Sequence, residues 1–356
     1  MSCKSEKEII NYSHGYEYLI TGPDGYTDEI SGNAVVKKDV KYGEVKGFYT
    51  SKTPEKKKNG KPAIIKEVLD IFNRIKKDPE NIPLYMDIYQ PYGHDQQKKP
   101  VLLFVHGGGF FFGDKNNELQ KELTGNLIEQ GCVVVSINHR LGSRIKGFEE
   151  IKMAIYCCVQ DVRAALRYVT YYADELNIDP EKIYLAGSSS GGIIALTTAF
   201  MDEDEVFECC KNDYFQEHFG NLDHSGNRLE CDYKLAGVIS LWGAITDLNM
   251  IEERNYLPAL LFHGTEDNIL YNQSGIPFCD HLNNRMKKKF FRSEHLYGSL
   301  AIYEYMKKWN LPVKYVPFDG YNHAPHEEKN GTFNGNLEIV KQEMTNFIFS
   351  TGLTSF

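Results

Sequence analysis

Three serines stand in a row between glycines in IYLAGSSSGGIIAL, residues 183–196, where one apolar run ends and another begins. A strand, a tight turn and a helix starting at that turn would lift one hydroxyl to a strained apex. The geometry requires small residues two before and two after it, so that strand and helix can approach. Only the register Gly187-Ser188-Ser189-Ser190-Gly191 has glycine at both places, because position 186 is Ala186 and position 188 is itself a serine. Ser189 is therefore the candidate nucleophile. Small-residue turns also cap helices and bind phosphate, so the motif alone leaves those readings open.

A serine hydroxyl becomes a nucleophile when a base, oriented by a third group, takes its proton. LLFHGTEDN offers Asp267 and VPFDGYNHAPH offers His323, each after a strand-like run. An open α/β sheet gathers its site at such strand ends. Glu266, Asp319 and His326 are rivals. Asp267 is preferred because it begins the loop after HGT, and His323 because it follows a glycine-containing turn and precedes Ala-Pro. A fourth element is VHGGGFFFG, residues 105–113. Acyl transfer develops an oxyanion that backbone N–H groups stabilise, and glycines let the chain turn such donors toward a ligand. Gly108, Gly109 and Ser190 are the candidate donors. Phe110 and Phe111 follow this loop and Trp242 ends another apolar run, so all three are candidates either to line an acyl or aryl pocket or to fill core space.

The elements that must position these residues are legible from residue 81 onward. IPLYMDIYQP alternates apolar and polar residues, whereas PVLLFVHGGG and GCVVVSINHR are continuous apolar runs, as expected of strands covered on both faces. A helix is expected over roughly 149–176, then a strand at KIYLAG and a helix at GGIIALTTAF. LAGVISLWGA, PALLFHGTED and VKYVPFDGYNH follow as strands. This alternation predicts an α/β fold with a mostly parallel central sheet flanked by helices. Two segments stand apart. Residues 1–80 read as an N-terminal extension contributing to a cap, polar at first, then lysine-rich in KTPEKKKNGKP, with helical spacing of Ile65, Val68, Leu69, Phe72 and Ile75. Residues 201–234 interrupt the catalytic unit of 81–356 and are acidic, yet hold Phe207, Tyr214, Phe215 and Phe219, which reads as a lid-like insertion.

Composition sets the outer limits. The chain has 356 residues, 42% of them hydrophobic, enough for one large core. A net charge of −9 lacks the basic footprint of a nucleic-acid binder. No run approaches the roughly 20 apolar residues of a membrane span, and the first residues carry no signal-peptide core, so a cytoplasmic location is the default expectation. The alternative is an exported or lipid-anchored protein, with Cys3 after Met1 as the processed residue. The eight cysteines show no zinc spacing. Cys132, Cys157 and Cys158 fall in apolar runs, whereas Cys209, Cys210 and Cys231 share a polar segment and would be free to pair in an oxidising compartment.

With His106-Gly107-Gly108-Gly109, Gly187-x-Ser189-x-Gly191, HGTED through Asp267 and GYNH through His323 in one order, the chain resembles the α/β-hydrolase fold. Within it, the likeness is to HGGG-type carboxylesterases related to hormone-sensitive lipase, and to the neighbouring kynurenine formamidases and acetyl or feruloyl esterases. The resemblance runs from about residue 81 to the C-terminus. It implies a triad of Ser189, Asp267 and His323, with His106 and Gly107 supporting the oxyanion loop. It also implies a serine carboxylesterase acting on a small-molecule ester, short-chain, aryl or sugar-linked, with neither metal nor organic cofactor. The sequence departs from the family pattern at Ser188 and Ser190 beside the nucleophile and at INHRLGSR, which leaves the ester unnamed. Two alternatives remain: an amide-cleaving relative, a formamidase or exopeptidase, and a non-catalytic hydrolase-like binding protein.

Overall fold

The computed structural model describes residues 20–21, 27–31, 34–47, 80–92, 97–142, 148–253, 256–277, 294–328 and 330–350. The expected helix over 65–75 and the lysine-rich stretch before it lie outside them. The first four strands, β1 (Ile20–Thr21), β2 (Thr27–Ser31), β3 (Ala34–Gly47) and β4 (Glu80–Pro91), form an antiparallel ribbon. Then come β5 (Lys99–Val105), β6 (Val133–Ile137), β7 (Ile178–Ser188) and β8 (Leu235–Leu241), and after them β9 (Ala244–Ile245), β10 (Ala259–Gly264), β11 (Ser274–Gly275), β12 (Leu296–Gly298) and β13 (Val313–Phe318). Ten of these make one sheet in the order β1-β2-β3-β4-β6-β5-β7-β8-β10-β13, parallel from β6 onward. β9, β11 and β12 form a small second sheet.

Parallel neighbours require crossovers, and helices supply them on both faces. They are α1 (Glu118–Glu129), α2 (Phe148–Tyr171), α3 (Ser190–Phe200), α4 (Asp213–Phe219), α5 (Ser299–Lys308) and α6 (Asn336–Phe349). Alternation along β5 shows why its sequence reads as an unbroken apolar run. Val101, Leu103 and Val105 enter the core under α2, α3 and α5, while Leu102 and Phe104 enter the core under α1 and α6. Every one of these five side chains is at most 1% exposed. Helix α3 is buried on nearly all sides, as its apolar sequence requires. Helix α1 starts where the Asn117 side chain accepts a hydrogen bond from the Gln120 amide, a strong N-cap.

The described part of the N-terminal segment departs from the expected cap, because β3 pairs with β4 along most of its length and so extends the main sheet. Its inward residues, Val36, Val40, Tyr42 and Val45, do not keep a strict period of two. Register shifts interrupt the pairing after Lys37 and after Lys41, and Asp39 sits at φ 54°. A bulge of this kind hides a strand from any search for alternation.

The 201–234 segment lies against α2. Phe207, Phe215 and Phe219 are buried in the main core, and Phe215 meets Tyr156 edge-on at 5.4 Å. Arg163 holds Asp223, Arg167 donates to the Ser225 carbonyl, and Gln160 donates to the carbonyls of Phe219, Gly220 and Asn221. Asn227 in turn donates to Tyr42 and Ala164 carbonyls, and Glu44 N–H to that of Gly226. These tethers make the segment a buttress of α2 and β3, in place of the lid that its aromatics suggested.

Cys132, Cys157, Cys158, Cys209, Cys210 and Cys231 are free thiols, with Cys132, Cys158 and Cys210 buried. Among the described residues no helix is long and apolar enough to cross a membrane. The strongest polar contact in the core joins Arg140 to Asp161 on α2 at 2.6 Å, with side chains only 4% and 0% exposed. Arg140 also donates to the carbonyls of Lys46 and Cys157 and to Gln160 Oε1, so one guanidinium ties β3 to α2. Removing one member of a buried pair strands the other charge. Asp161→Ala is therefore expected to destabilise the protein by about 3–5 kcal/mol, read as a lowered urea midpoint; an unchanged midpoint would contradict this account of the joint.

Candidate active site

The parallel register sets five strand ends side by side. Val105 pairs with Gly187, Gly187 with Ser240, Leu241 with Phe262, and Gly264 with Phe318. The loops leaving β5, β7, β10 and β13 therefore open on one rim of the sheet. Ser189 forms the turn between β7 and α3 with φ 55° and ψ −120°, and its amide donates to the Leu241 carbonyl at 2.8 Å. The flanking glycines are needed for space. A Cβ on Gly187 would lie 2.1 Å from the Gly191 carbonyl oxygen, and one on Gly191 would lie 2.2 Å from that of Val105.

Ser189 Oγ is 2.8 Å from His323 Nε2, and His323 Nδ1 is 2.7 Å from Asp267 Oδ2. The line is continuous, and with Nδ1 protonated, Nε2 is free to accept the serine proton. The rivals are occupied elsewhere: Asp319 accepts from the Thr265 hydroxyl, while the His326 ring stacks on Trp242 at 4.5 Å. Asp267 is buried, with Oδ1 accepting the amides of Ile269 and Leu270. Burial works to raise its pKa, but hydrogen bonds from His263 and His323 outweigh that and hold the carboxyl well below the usual carboxylate range. The two loops are also joined directly. Asn322 Oδ1 accepts from the amides of His323 and Asn268, and Glu266 N–H donates to the Tyr321 carbonyl.

The glycine loop abuts this line. A Cβ on Gly107 would sit 3.2 Å from Ser189 Cβ, so the loop passes directly beside the serine turn. Gly108 has φ +120°, and its carbonyl accepts the amides of Phe111 and Phe112. That fold-back directs Gly108 and Gly109 to the same rim as Ser190, the first residue of α3. His106 supports the loop from below, with Nδ1 on the Gly107 carbonyl at 2.7 Å and the ring stacked on His139 at 4.3 Å.

The aromatic candidates divide. Phe110 and Phe111 lie in the rim loop, both almost fully buried, with Phe110 in the main core. Trp242 does not line a pocket. It is 2% exposed and its ring lies flat under His326, so it supports the loop that carries His323. Sequence reasoning missed His263. It stands inside the apolar run of β10 and reads as a strand residue, although its place four residues before Asp267 was visible in HGTED.

The sheet and its flanking helices form the α/β-hydrolase fold, as comparison with a solved structure shows. Thermogutta terrifontis esterase 2 phosphorylated by paraoxon superposes over 77% of this chain and 91% of its own, with a TM-score of 0.50 and 22% identity. Residues 86–255 match the BD-FAE family model. Among curated proteins, an AB hydrolase superfamily protein of Schizosaccharomyces pombe is 34% identical over 131 residues, 36% of this chain and 35% of the relative. An acetyl esterase of Salmonella schwarzengrund is 28% identical over 120 residues, 33% of this chain and 34% of the relative. The non-reducing polyketide synthase pkbA of Emericella nidulans is 30% identical over 124 residues, 35% of this chain but 5% of its own length. The chain thus spans about a third or less of these curated relatives.

The buried rings make the site acid-sensitive. Burial, aided by the stacked His139, pushes His106 down to about 3, and burial next to His323 pushes His326 down to about 4. Both rings stay neutral in the fold but protonate near 6.5 once unfolded, so the unfolded state binds more protons below that pH. Stability is thus complete above pH 6.5 and falls toward pH 4, by about 1.4 kcal/mol per pH unit for each ring. Asp267, whose folded pKa is depressed, stabilises the fold throughout this range and loses that contribution only as the pH falls below the ordinary carboxylate pKa. Urea unfolding at pH 7, 5.5 and 4.5 checks this: a flat profile contradicts it, and His326→Phe should shallow the slope.

Proposed function

We propose that the protein is a serine carboxylic-ester hydrolase working through an acyl-enzyme on Ser189. The observation that carries this reading is the unbroken line from Ser189 Oγ through His323 to Asp267, at 2.8 and 2.7 Å, with a glycine loop beside the hydroxyl. Likeness to esterases in sequence segments and in fold supports it.

His323 Nε2 takes the hydroxyl proton as Ser189 Oγ bonds to the ester carbonyl carbon. The amides of Gly108, Gly109 and Ser190 receive the negative charge on the carbonyl oxygen. Asp267 holds the ring by Nδ1 and offsets the charge of the imidazolium. The proton then passes to the departing alkoxide, leaving an acyl-serine and free alcohol. Water enters by the same route: His323 deprotonates it, the second oxyanion forms in the same loop, and carboxylate and Ser189 are released. The strong depression of Asp267 keeps it ionised through the cycle, so the proton shuttles only between oxygen and His323. The substrate we propose is a short acyl group on an aryl, alkyl or sugar alcohol, with Phe110 and Phe111, both nearly buried directly after the glycine loop, as candidates to bound the acyl side.

Ser189→Ala is expected to remove p-nitrophenyl acetate hydrolysis by up to about 10⁶-fold, the loss seen when a triad nucleophile is removed, with unchanged circular dichroism. A fluorophosphonate should label wild type at Ser189 and leave the variant unlabelled. Near wild-type turnover by the variant would exclude Ser189 from this role. Across acetate, butyrate and octanoate esters, kcat/KM should fall with chain length, and a strong octanoate preference refutes the short-acyl reading.

A further inference from the structure

Asp267 has a second imidazole partner besides His323. His263 Nε2 lies 3.1 Å from the same Oδ2 that receives His323 Nδ1 and 2.8 Å from the Leu270 carbonyl. Its Nδ1 lies 2.9 Å from Ser299 Oγ, the first residue of α5. The ring is fully buried at the end of β10.

These contacts fix the proton. Nε2 faces two oxygens that can only accept, so it carries a hydrogen shared between Leu270 O and Asp267 Oδ2. Nδ1 then accepts from the Ser299 hydroxyl, whose contact with the Phe262 carbonyl is longer, at 3.3 Å. Asp267 therefore receives four N–H groups: two amides on Oδ1, and two rings on Oδ2. The amides fix the position of Oδ1 but leave the torsion and charge of Oδ2 to the rings, only one of which takes part in proton transfer.

We propose that His263 is a positioning residue for the proton line, holding Oδ2 of Asp267 in plane with His323 and drawing off part of its charge through a tautomer set by Ser299. The proposal rests on the reading of Ser189, His323 and Asp267 given above. Two consequences follow from an N–H held on a carboxylate. Orientation of His323 depends on it, and the carboxylate attracts the His323 imidazolium less strongly than it otherwise would. Without the donor, kcat should fall while His323 becomes a stronger base.

Three variants test this on the full chain with p-nitrophenyl acetate. His263→Leu should lower kcat about 10- to 100-fold, the usual weight of one hydrogen bond to a charged group, with KM unchanged and the acid limb of kcat/KM moved to higher pH. His263→Gln places an amide N–H near the Nε2 position and should restore most of kcat and the limb. Ser299→Ala leaves the ring but frees its tautomer, and should move the limb in the same direction by less. His326, the other titratable ring facing His323, and Glu266 and Asp319 in the adjoining loops stay unchanged throughout. If His263→Leu fails to fold, His263→Gln and Ser299→Ala carry the test. An acid limb unmoved in every folded variant overturns the proposal, as does a loss in Leu that Gln does not recover. Wild type that neither turns over the ester nor takes a fluorophosphonate at Ser189 overturns the underlying reading, a result distinct from either.

Discussion

The rest of the rim depends on one steric fact: β7 and α3 come so close at Ser189 that neither flank has room for a β-carbon. A serine at φ 55° is costly, by about 1–3 kcal/mol for a backbone of this kind. Helix α3 offsets it, since Ile193, Ile194 and Leu196 are all but fully buried. The constraint extends sideways, because a Cβ on Gly192 would lie 2.9 Å from Gly243 Cα, beyond the end of β8. Small residues at 187, 191, 192 and 243 are thus parts of a single contact, and the turn they permit aims one hydroxyl out of an otherwise closed layer.

Charge is managed differently on the two sides of that hydroxyl. Asp267 keeps its charge in a buried place because the hydrogen bonds from His263 and His323 outweigh desolvation and hold its pKa well below the usual carboxylate range. His106 and His139, under the glycine loop, are held neutral chiefly by burial, which outweighs the pull of Asp161 on His139.

Ser189, Asp267 and His323 were legible as candidates because each leaves a parallel strand at its C-terminal end, and strands of continuous apolar residues are easy to find. His263 was not legible, since nothing in LLFHGTED separates a buried partner of Asp267 from a strand residue filling core; only the turn after β10 brings them together. Strand β3 escaped through its bulge at Asp39. Trp242 stayed open between pocket wall and core because a large aromatic after a strand fits either, and its stack on His326 depends on a loop more than eighty residues away.

The 201–234 segment bears on the choice between ester and amide. An acidic segment of this kind could anchor a substrate amine, yet Asp223 binds Arg163 of α2 with both oxygens, at 2.7 and 2.8 Å. Arg163 and Arg167 are each 6% exposed and would be left poorly compensated on α2 without this layer. Its aromatics fill the space between those contacts. Composition here reflects the need to cover two buried arginines on a helix flank, and the argument for an amine anchor loses its chief support. In the proposed mechanism the same His323 would hand its proton to an alkoxide or to an amine, so the proton line by itself does not separate the two leaving groups, and the contacts around the substrate must.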